Sequence, residues 1–370
     1  MNNEEKFFAA WNELSKSKDA FYEKISDIEM DFYPLYYYKA FNAYKKRNIE
    51  KAVDKIKICI SMFENKDHKV NLSNKDNLIS ALKIYENVKG QNIFQLAGEI
   101  FALSEHNRQY SMECYKKFWY WSEKLKQKAD LENKDSIVVY SFRRFNEHTL
   151  SDLIERKITV CHPSKMNDPF DSPITLWGSE GYLNKICSNS GKEKYIPFFS
   201  RALDYFRIRS FVANKETYDA DDNILKNILM WSLYAGEHKG FCVRYRLSKH
   251  FILWSDETKL HRLRILPITY VNNLNINKAS FNTDEAYGYK YRAWENENEV
   301  RLLSYCPYEE DYFYGEELKD SSIEEIIFGL RCPDTTKQTI QKLFKNSAIK
   351  FSCMRMKDDN NIYDLVKMDC

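Results

Sequence analysis

The sequence predicts an α+β protein in two parts: an all-α region of helical hairpins over residues 1–130 and a mixed α+β domain over residues 131–370. Three observations carry this. At 370 residues with 44% hydrophobic and 15% aromatic side chains, the chain is longer than one ordinary domain needs and can bury a sizeable core. The first 130 residues hold one proline, Pro34, and long stretches with apolar residues at three- and four-residue spacing, the periodicity of amphipathic helices. Beyond Ser136 the pattern changes to short β-branched and aromatic runs separated by helical stretches.

In the helical region, Ala40 and Ala52 stand twelve apart within Tyr38 to Met62, around a turn at Lys46-Arg47-Asn48. Small residues there let two helices approach closely, and the arrangement resembles a tetratricopeptide repeat. A second hairpin is expected from Leu96 to Leu125, with Ala97, Gly98 and Phe101 on its first helix and Tyr110, Ser111 and Tyr115 on its second. Its spacing is one residue too long for that repeat. Tyr36, Tyr37, Tyr38, Phe41 and Tyr44 read as helix packing. The resemblance implies a groove for a protein partner, and the plainer reading is an all-α cap.

A linker is expected at Gln127 to Ser136, where Lys, Asp, Glu and Asn replace the periodicity. Strands follow at Ile137 to Tyr140, Ile158 to Cys161, Gly240 to Leu247, Leu263 to Tyr270, Glu299 to Tyr305, Ile323 to Phe328 and Ala348 to Cys353. Helices are expected between them at Thr149 to Arg156, Lys194 to Asp204, Ile224 to Ala235 and Asp334 to Phe344.

Composition excludes several classes. Charged residues make up 30%, and no apolar run approaches the roughly 18 residues of a membrane-spanning helix. The start, Met1-Asn2-Asn3-Glu4-Glu5, lacks the basic-then-apolar order of a signal peptide, so a cytoplasmic protein is expected. Nine cysteines without a C-x-x-C pair argue against a disulfide framework or a zinc knuckle. Ten glycines spell neither a dinucleotide-binding nor a phosphate-loop motif. Residues 1–130 carry 22 basic and 19 acidic side chains and the remainder 34 and 35, which leaves no footprint for indiscriminate nucleic-acid binding.

Four segments of the second domain concentrate chemistry. Tyr140-Ser141-Phe142-Arg143 ends a strand with an arginine placed to fork onto a phosphate or carboxylate. Pro163-Ser164-Lys165-Met166-Asn167-Asp168-Pro169-Phe170-Asp171 reads as a rigid loop that walls a pocket. A metal at His162, Asp168 and Asp171 lacks a second cluster of ligands, and no metal is expected. Leu229 to Phe241 reads as a helix end, a turn and a strand, with Trp231 and Tyr234 on one helical face and His238 a candidate proton donor. In Trp294 to Leu303, a strand beginning near Glu297 would set Glu297, Glu299 and Arg301 on one side and Val300 and Leu302 on the other, either lining a site or forming a solvated edge.

Taken in order, the Y-x-x-R strand, S-K-M-N-D-P-F-D, M-W-S-x-Y-A-x-x-H-K-G-F and W-x-x-E-x-E-V-R resemble the domain-of-unknown-function family 2971, over roughly residues 137–366. Ile323-Glu324-Glu325-Ile326-Ile327-Phe328-Gly329 fits its late strand-turn element. Val139-Tyr140-Ser141-Phe142, a helix holding Leu150 and Leu153, and the return strand near Ile158 are similar to the first unit of ADP-ribosyltransferases; Glu297-x-Glu299 is similar to their glutamate-bearing strand. That second resemblance implies an ADP-ribosyltransferase-like fold and ADP-ribosyl transfer from NAD to a macromolecular acceptor, in the setting of stress or phage defence. It implies that Glu299 holds the ribose hydroxyl, Glu297 orients or deprotonates the acceptor, Arg143 binds the diphosphate, and Trp231 or Tyr234 stacks on nicotinamide. Tyr140, Asn167, Asp168, Ser232 and His238 complete the expected cofactor-binding set. Two departures stand: Ser141 where many transferases place histidine, and Trp231-Ser232-Leu233 in expected helix instead of a serine-threonine-serine strand.

The alternative is a non-catalytic interaction or regulatory module, in which Glu297, Glu299 and Arg301 pair with Lys290, Arg292 or Arg143 and the helical region recruits a protein partner.

Overall fold

The computed structural model describes residues 2–65, 77–126, 134–188, 193, 196–275, 283–307, 311–357 and 364–370. The chain divides into two compact units, Met1–Lys126 and Gln127–Cys370. Most of the expected linker, residues 127–133, lies outside the described residues.

The first unit is helical: α1 (Asn3–Trp11), α2 (Lys18–Lys24), α3 (Tyr33–Lys45), α4 (Ile49–Glu64), α5 (Asn77–Asn87), α6 (Gly90–Leu103) and α7 (Gln109–Lys126). Asn2 and Glu5 form a reciprocal capping box on α1, Ser17 caps α2 and Asn48 caps α4, each supplying an acceptor to an otherwise orphaned backbone N–H. α3 and α4 make the first expected hairpin, turning through Arg47 in the left-handed region, with Ala40 and Ala52 fully buried. α6 and α7 make the second. A methyl group on Gly98 would stand 2.9 Å from the Tyr115 ring, and the Ser111 hydroxyl donates to the Gly98 carbonyl at 2.9 Å, so the helices touch where the sequence is smallest. No helix among the described residues is long and apolar enough to cross a membrane.

The second unit is built on a large mixed sheet. Its strands are β1 (Ser136–Arg143), β2 (Lys157–Cys161), β3 (Phe206–Val212), β4 (Phe241–Ser248), β5 (Ser255–Asp256), β6 (His261–Pro267), β9 (Glu299–Tyr305), β10 (Phe313–Glu317), β11 (Ser322–Phe328), β12 (Lys350–Met356) and β13 (Leu365–Asp369). The order is β13-β12-β11-β4-β1-β3-β9-β6-β5, with β2 bridging β3 and β10. β7 (Thr269–Val271) and β8 (Tyr289–Tyr291) form a separate parallel pair. The helices are α8 (Glu147–Ile154), α9 (Pro173–Cys187), α10 (Ile196–Asp204), α11 (Ile228–Leu233), α12 (Lys249–Ile252), α13 (Thr283–Tyr287) and α14 (Asp334–Leu343). β11 and β12 are parallel and joined through α14, as parallel neighbours require a crossover.

β1 explains the core. Its alternating side chains enter two apolar layers, Ile137 and Val139 with Val243, Val300 and Leu302 on one face, Val138, Tyr140 and Phe142 with Val212, Trp231 and Ile327 on the other. A strand buried on both faces is apolar without interruption, as Ile137-Val138-Val139-Tyr140 is.

Several expectations are corrected here. β3, β10, β13 and α9 were not foreseen, and the single run Leu263 to Tyr270 is two strands broken at Ile268. β9 is no edge strand: it lies between β3 and β6 with all seven residues buried. It begins at Glu299, because Arg292–Glu297 form a 3₁₀ turn closed by Asn298 at φ 48°, a left-handed position that asparagine tolerates. Cysteine spacing argues against a disulfide framework, and one disulfide is present among the described residues, Cys353 on β12 to Cys370.

Candidate active site

β1 is fully paired to β4 and β3 to β9, but β1 and β3 meet at one bridge alone, Tyr140 to Val212. β2 touches β3 at a second single point, Cys161 to Ile208. Between these two points the sheet is split, and a cavity of about 310 Å³ opens there, with Ser141, Phe142 and Arg143 along one lip and Ile208 to Val212 along the other. Asn167, Tyr234, Lys290, Glu297 and Glu299 also line it. The split lets side chains from both faces of the sheet reach one opening.

On one wall lies a buried ionic knot. Lys290 Nζ donates to Glu297 Oε2 at 2.6 Å and Glu299 Oε2 at 2.9 Å, and stands 3.2 Å from Asp171 Oδ2. Arg301 donates to Glu299 Oε1 at 2.7 Å, to the Tyr287 carbonyl at 2.6 Å and to Asp171. The Ser210 hydroxyl donates to Glu299 Oε1, and the Tyr234 hydroxyl to Glu297 Oε1 at 2.6 Å. Two cations face three carboxylates, so with every group ionised the knot holds one excess negative charge.

That excess decides which carboxyl yields. Burial pushes Glu299 up, but Arg301, Lys290 and Ser210 together overturn it and hold it at about 2. Burial raises Glu297 and Asp171, and in their case Lys290 and Arg301 do not fully offset it. Burial would lower Lys290, yet Glu299, Asp171 and Glu297 raise it above the usual lysine range. Glu299 is a fixed anion, and Glu297 and Asp171 are the two carboxyls held above their usual range.

Arg209 on β3 reaches across the split. Its Nη2 donates to Ser141 Oγ at 2.9 Å, its buried Nε has no partner, and it makes no ion pair among the described residues. A guanidinium with an unspent donor and no counter-charge is a ready seat for an anion. Arg143 differs: α8 holds it by Thr149 Oγ1 at 3.1 Å and Asp152 Oδ2 at 3.3 Å, which neutralises it. Arg144 is exposed at the mouth, donating to the Leu233 carbonyl.

Of the expected site residues, the cavity gathers Tyr140, Arg143, Asn167, Tyr234, Glu297 and Glu299. It does not gather four others. Trp231 is fully buried in the core, its indole N–H donating to the Leu225 carbonyl at 2.7 Å and its ring edge-on to Phe142, so no face is open for a nicotinamide. Ser232 on α11 and His238, in a turn that runs left-handed through Gly236, Glu237 and His238, face each other at 3.3 Å outside the cavity lining. That turn packs backbone against backbone: a methyl group on Gly240 would lie 2.1 Å from the Arg143 carbonyl and one on Gly329 2.3 Å from the His238 carbonyl. Asp168 accepts from the Phe170 N–H at 2.8 Å and lines a neighbouring aromatic hollow with Trp177 and Trp294. Tyr140 is wholly buried, its hydroxyl accepting from the Asp221 N–H and pushed up to about 12 by burial.

Sequence reasoning missed Arg209 and Ser210. Their signal was the run Phe206-Arg207-Ile208-Arg209-Ser210-Phe211-Val212, two arginines interleaved in an otherwise apolar strand. Asp171, expected in a loop that walls a pocket and as a metal ligand with His162, is instead an anion of the knot, while His162 faces Ser164 and is lowered to about 4 by burial. Away from the cavity lining, His261, Cys306 and Glu316 form a group that could hold a metal ion. No family model, no curated protein and no solved structure matches the chain.

Proposed function

We propose that the second unit is a nucleotide-dependent transferase of the domain-of-unknown-function family 2971 that moves ADP-ribose from NAD to a macromolecular acceptor, in bacterial stress or phage defence. The observation that carries the reading is the split cavity, with the unpaired Arg209 on one wall and Glu299, fixed as an anion, on the other. A diphosphate would pair with the Arg209 guanidinium at the cavity lip, with Arg144 at the mouth as a second cation. Cleaving the bond between nicotinamide nitrogen and ribose sends the electron pair away with nicotinamide and leaves an oxocarbenium-like sugar. A carboxylate that stays ionised and needs no rearrangement stabilises that charge. Glu299 has three of its acceptor positions filled by Ser210, Arg301 and Lys290, which leaves one for a ribose hydroxyl. The acceptor's nucleophile then bonds to the sugar carbon, and its proton passes to Glu297, whose carboxyl burial makes a stronger base than an exposed one. Ser210, a strand serine against the glutamate, supplies what Ser232 in its helix does not.

The test is release of labelled nicotinamide from NAD by the full chain and by Glu299→Gln. Release that is lost in a folded Glu299→Gln supports the reading, and equal release in both ends it. One observation favours a second reading: the knot around Lys290 already pairs its own charges. As a non-catalytic module, the unit would use it for rigidity, the helical unit would recruit a protein partner, and neither protein would release nicotinamide.

A further inference from the structure

We propose that His261, Cys306 and Glu316, with Ser304 as fourth donor, form a structural site for one zinc ion, independent of the transferase reading. The four side chains come from β6, from the end of β9 and the residue after it, and from β10, and all are buried. Their donor atoms converge. His261 Nε2 stands 2.8 Å from Glu316 Oε1, 3.1 Å from Ser304 Oγ and 3.2 Å from Cys306 Sγ. Ser304 Oγ lies 2.9 Å from Cys306 Sγ and against Glu316 Oε1, and the sulfur is 4.0 Å from that oxygen.

Hydrogen bonds alone describe this poorly. An imidazole nitrogen offers one in-plane direction, as a donor or as an acceptor, yet three polar groups crowd the same Nε2. Around a tetrahedral zinc ion, with bonds of about 2.0–2.3 Å to nitrogen, oxygen and sulfur, neighbouring donors stand roughly 3.3–3.6 Å apart. Five of the six separations are shorter than that range and one is longer, so the donors would part by between roughly 0.1 and 0.8 Å to seat the ion. The charges also balance: a thiolate, a carboxylate and a neutral imidazole bring two negative charges to a divalent cation, and a buried centre of zero net charge avoids the penalty of an uncompensated carboxylate. Borderline-soft zinc suits this mixed nitrogen, sulfur and oxygen set, whereas calcium and magnesium take oxygen ligands. On binding, the Cys306 thiol gives its proton to solvent.

The site has a mechanical role. β10 pairs with β2 and has no backbone ladder to β6 or β9 among the described residues, so the ion would tie Glu316 on β10 to both of those strands. His261, Cys306 and Glu316 are ligand types that zinc takes, and the Ser304 hydroxyl stands at the fourth position.

The experiment loads metal-free full-length protein with cobalt(II) as a spectroscopic stand-in, then displaces it with zinc. One equivalent with a thiolate-to-cobalt absorption band is expected, along with a rise in melting temperature of about 5–10 °C at a hundredfold excess of zinc over its Kd. Folded Cys306→Ala should lose the band and Cys332→Ala should keep it. If Cys306→Ala does not fold, Glu316→Gln decides: at least tenfold weaker binding supports the site, and unchanged affinity overturns it. No band in folded wild type, or an equal band in folded Cys306→Ala, also overturns it.

Discussion

Replacing Lys290 with methionine keeps most of the side-chain volume and removes the one cation that touches Asp171, Glu297 and Glu299 together. Arg301 then pairs with Asp171 and Glu299 alone, Glu297 loses its cation, and the knot goes from one excess negative charge to two. Removing one partner from a buried ion pair costs about 3–5 kcal/mol, because the remaining charge is left without compensation. For a unit of this length that corresponds to a fall in melting temperature of roughly 6–20 °C. The loss depends on pH with a definite sign. Asp171 and Glu297 are raised already, and without Lys290 they rise further. An acid whose folded value exceeds its unfolded value near 4 favours folding at low pH, and that advantage is lost as pH rises through the folded value. Thermal unfolding of both proteins at pH 5 and pH 8 is the assay, and the gap should be narrower at pH 5. A gap below about 1 kcal/mol, typical of surface pairs, or one equal at both pH values would refute the buried-knot reasoning.

Three further outcomes follow from the packing and the charges. Trp231→Ala should destabilise the second unit by about 3–5 kcal/mol as a core cavity, and Trp231→Phe by less, read by denaturant unfolding. Gly98→Ala should destabilise the helical unit by about 1–3 kcal/mol, because the added methyl meets the Tyr115 ring at 2.9 Å; a neutral result in urea unfolding would contradict the close approach of α6 and α7. Lys215 is lowered to about 8 by burial, opposed by Glu299. Its folded value lies below the unfolded one, so it binds fewer protons when folded, and stability should rise between about pH 8 and 10.5, a slope that Lys215→Met should remove.

What the sequence makes legible is what periodicity records. β1 is an apolar run of strand length, β4, β9 and β11 are strand-length stretches rich in β-branched, aromatic and leucine residues, and α14 and the two hairpins of the helical unit carry three-and-four spacing. β3 escapes although Phe206–Val212 alternates arginine with apolar residues as β4 does with Arg244 and Arg246, so residue type alone does not separate the two. α9 escapes because Gly178, at φ 68°, interrupts it. Trp231 and Tyr234 share a helical face by spacing, but the helix ends at Leu233, so the indole enters the core while the phenol turns to Glu297. Glu297 and Glu299 are two apart in sequence and both reach Lys290, though through a 3₁₀ turn and a left-handed Asn298 instead of one strand. The split between β1 and β3 depends on which backbone bonds are missing. No residue type signals that.

The most direct test of the cavity as an anion seat is calorimetric titration of ADP-ribose into the wild-type chain and into Arg209→Gln. The account predicts binding to wild type that weakens about 10–100-fold in the variant, the worth of a charged hydrogen bond. Equal affinity in both proteins, or no binding to a folded wild type, would contradict it.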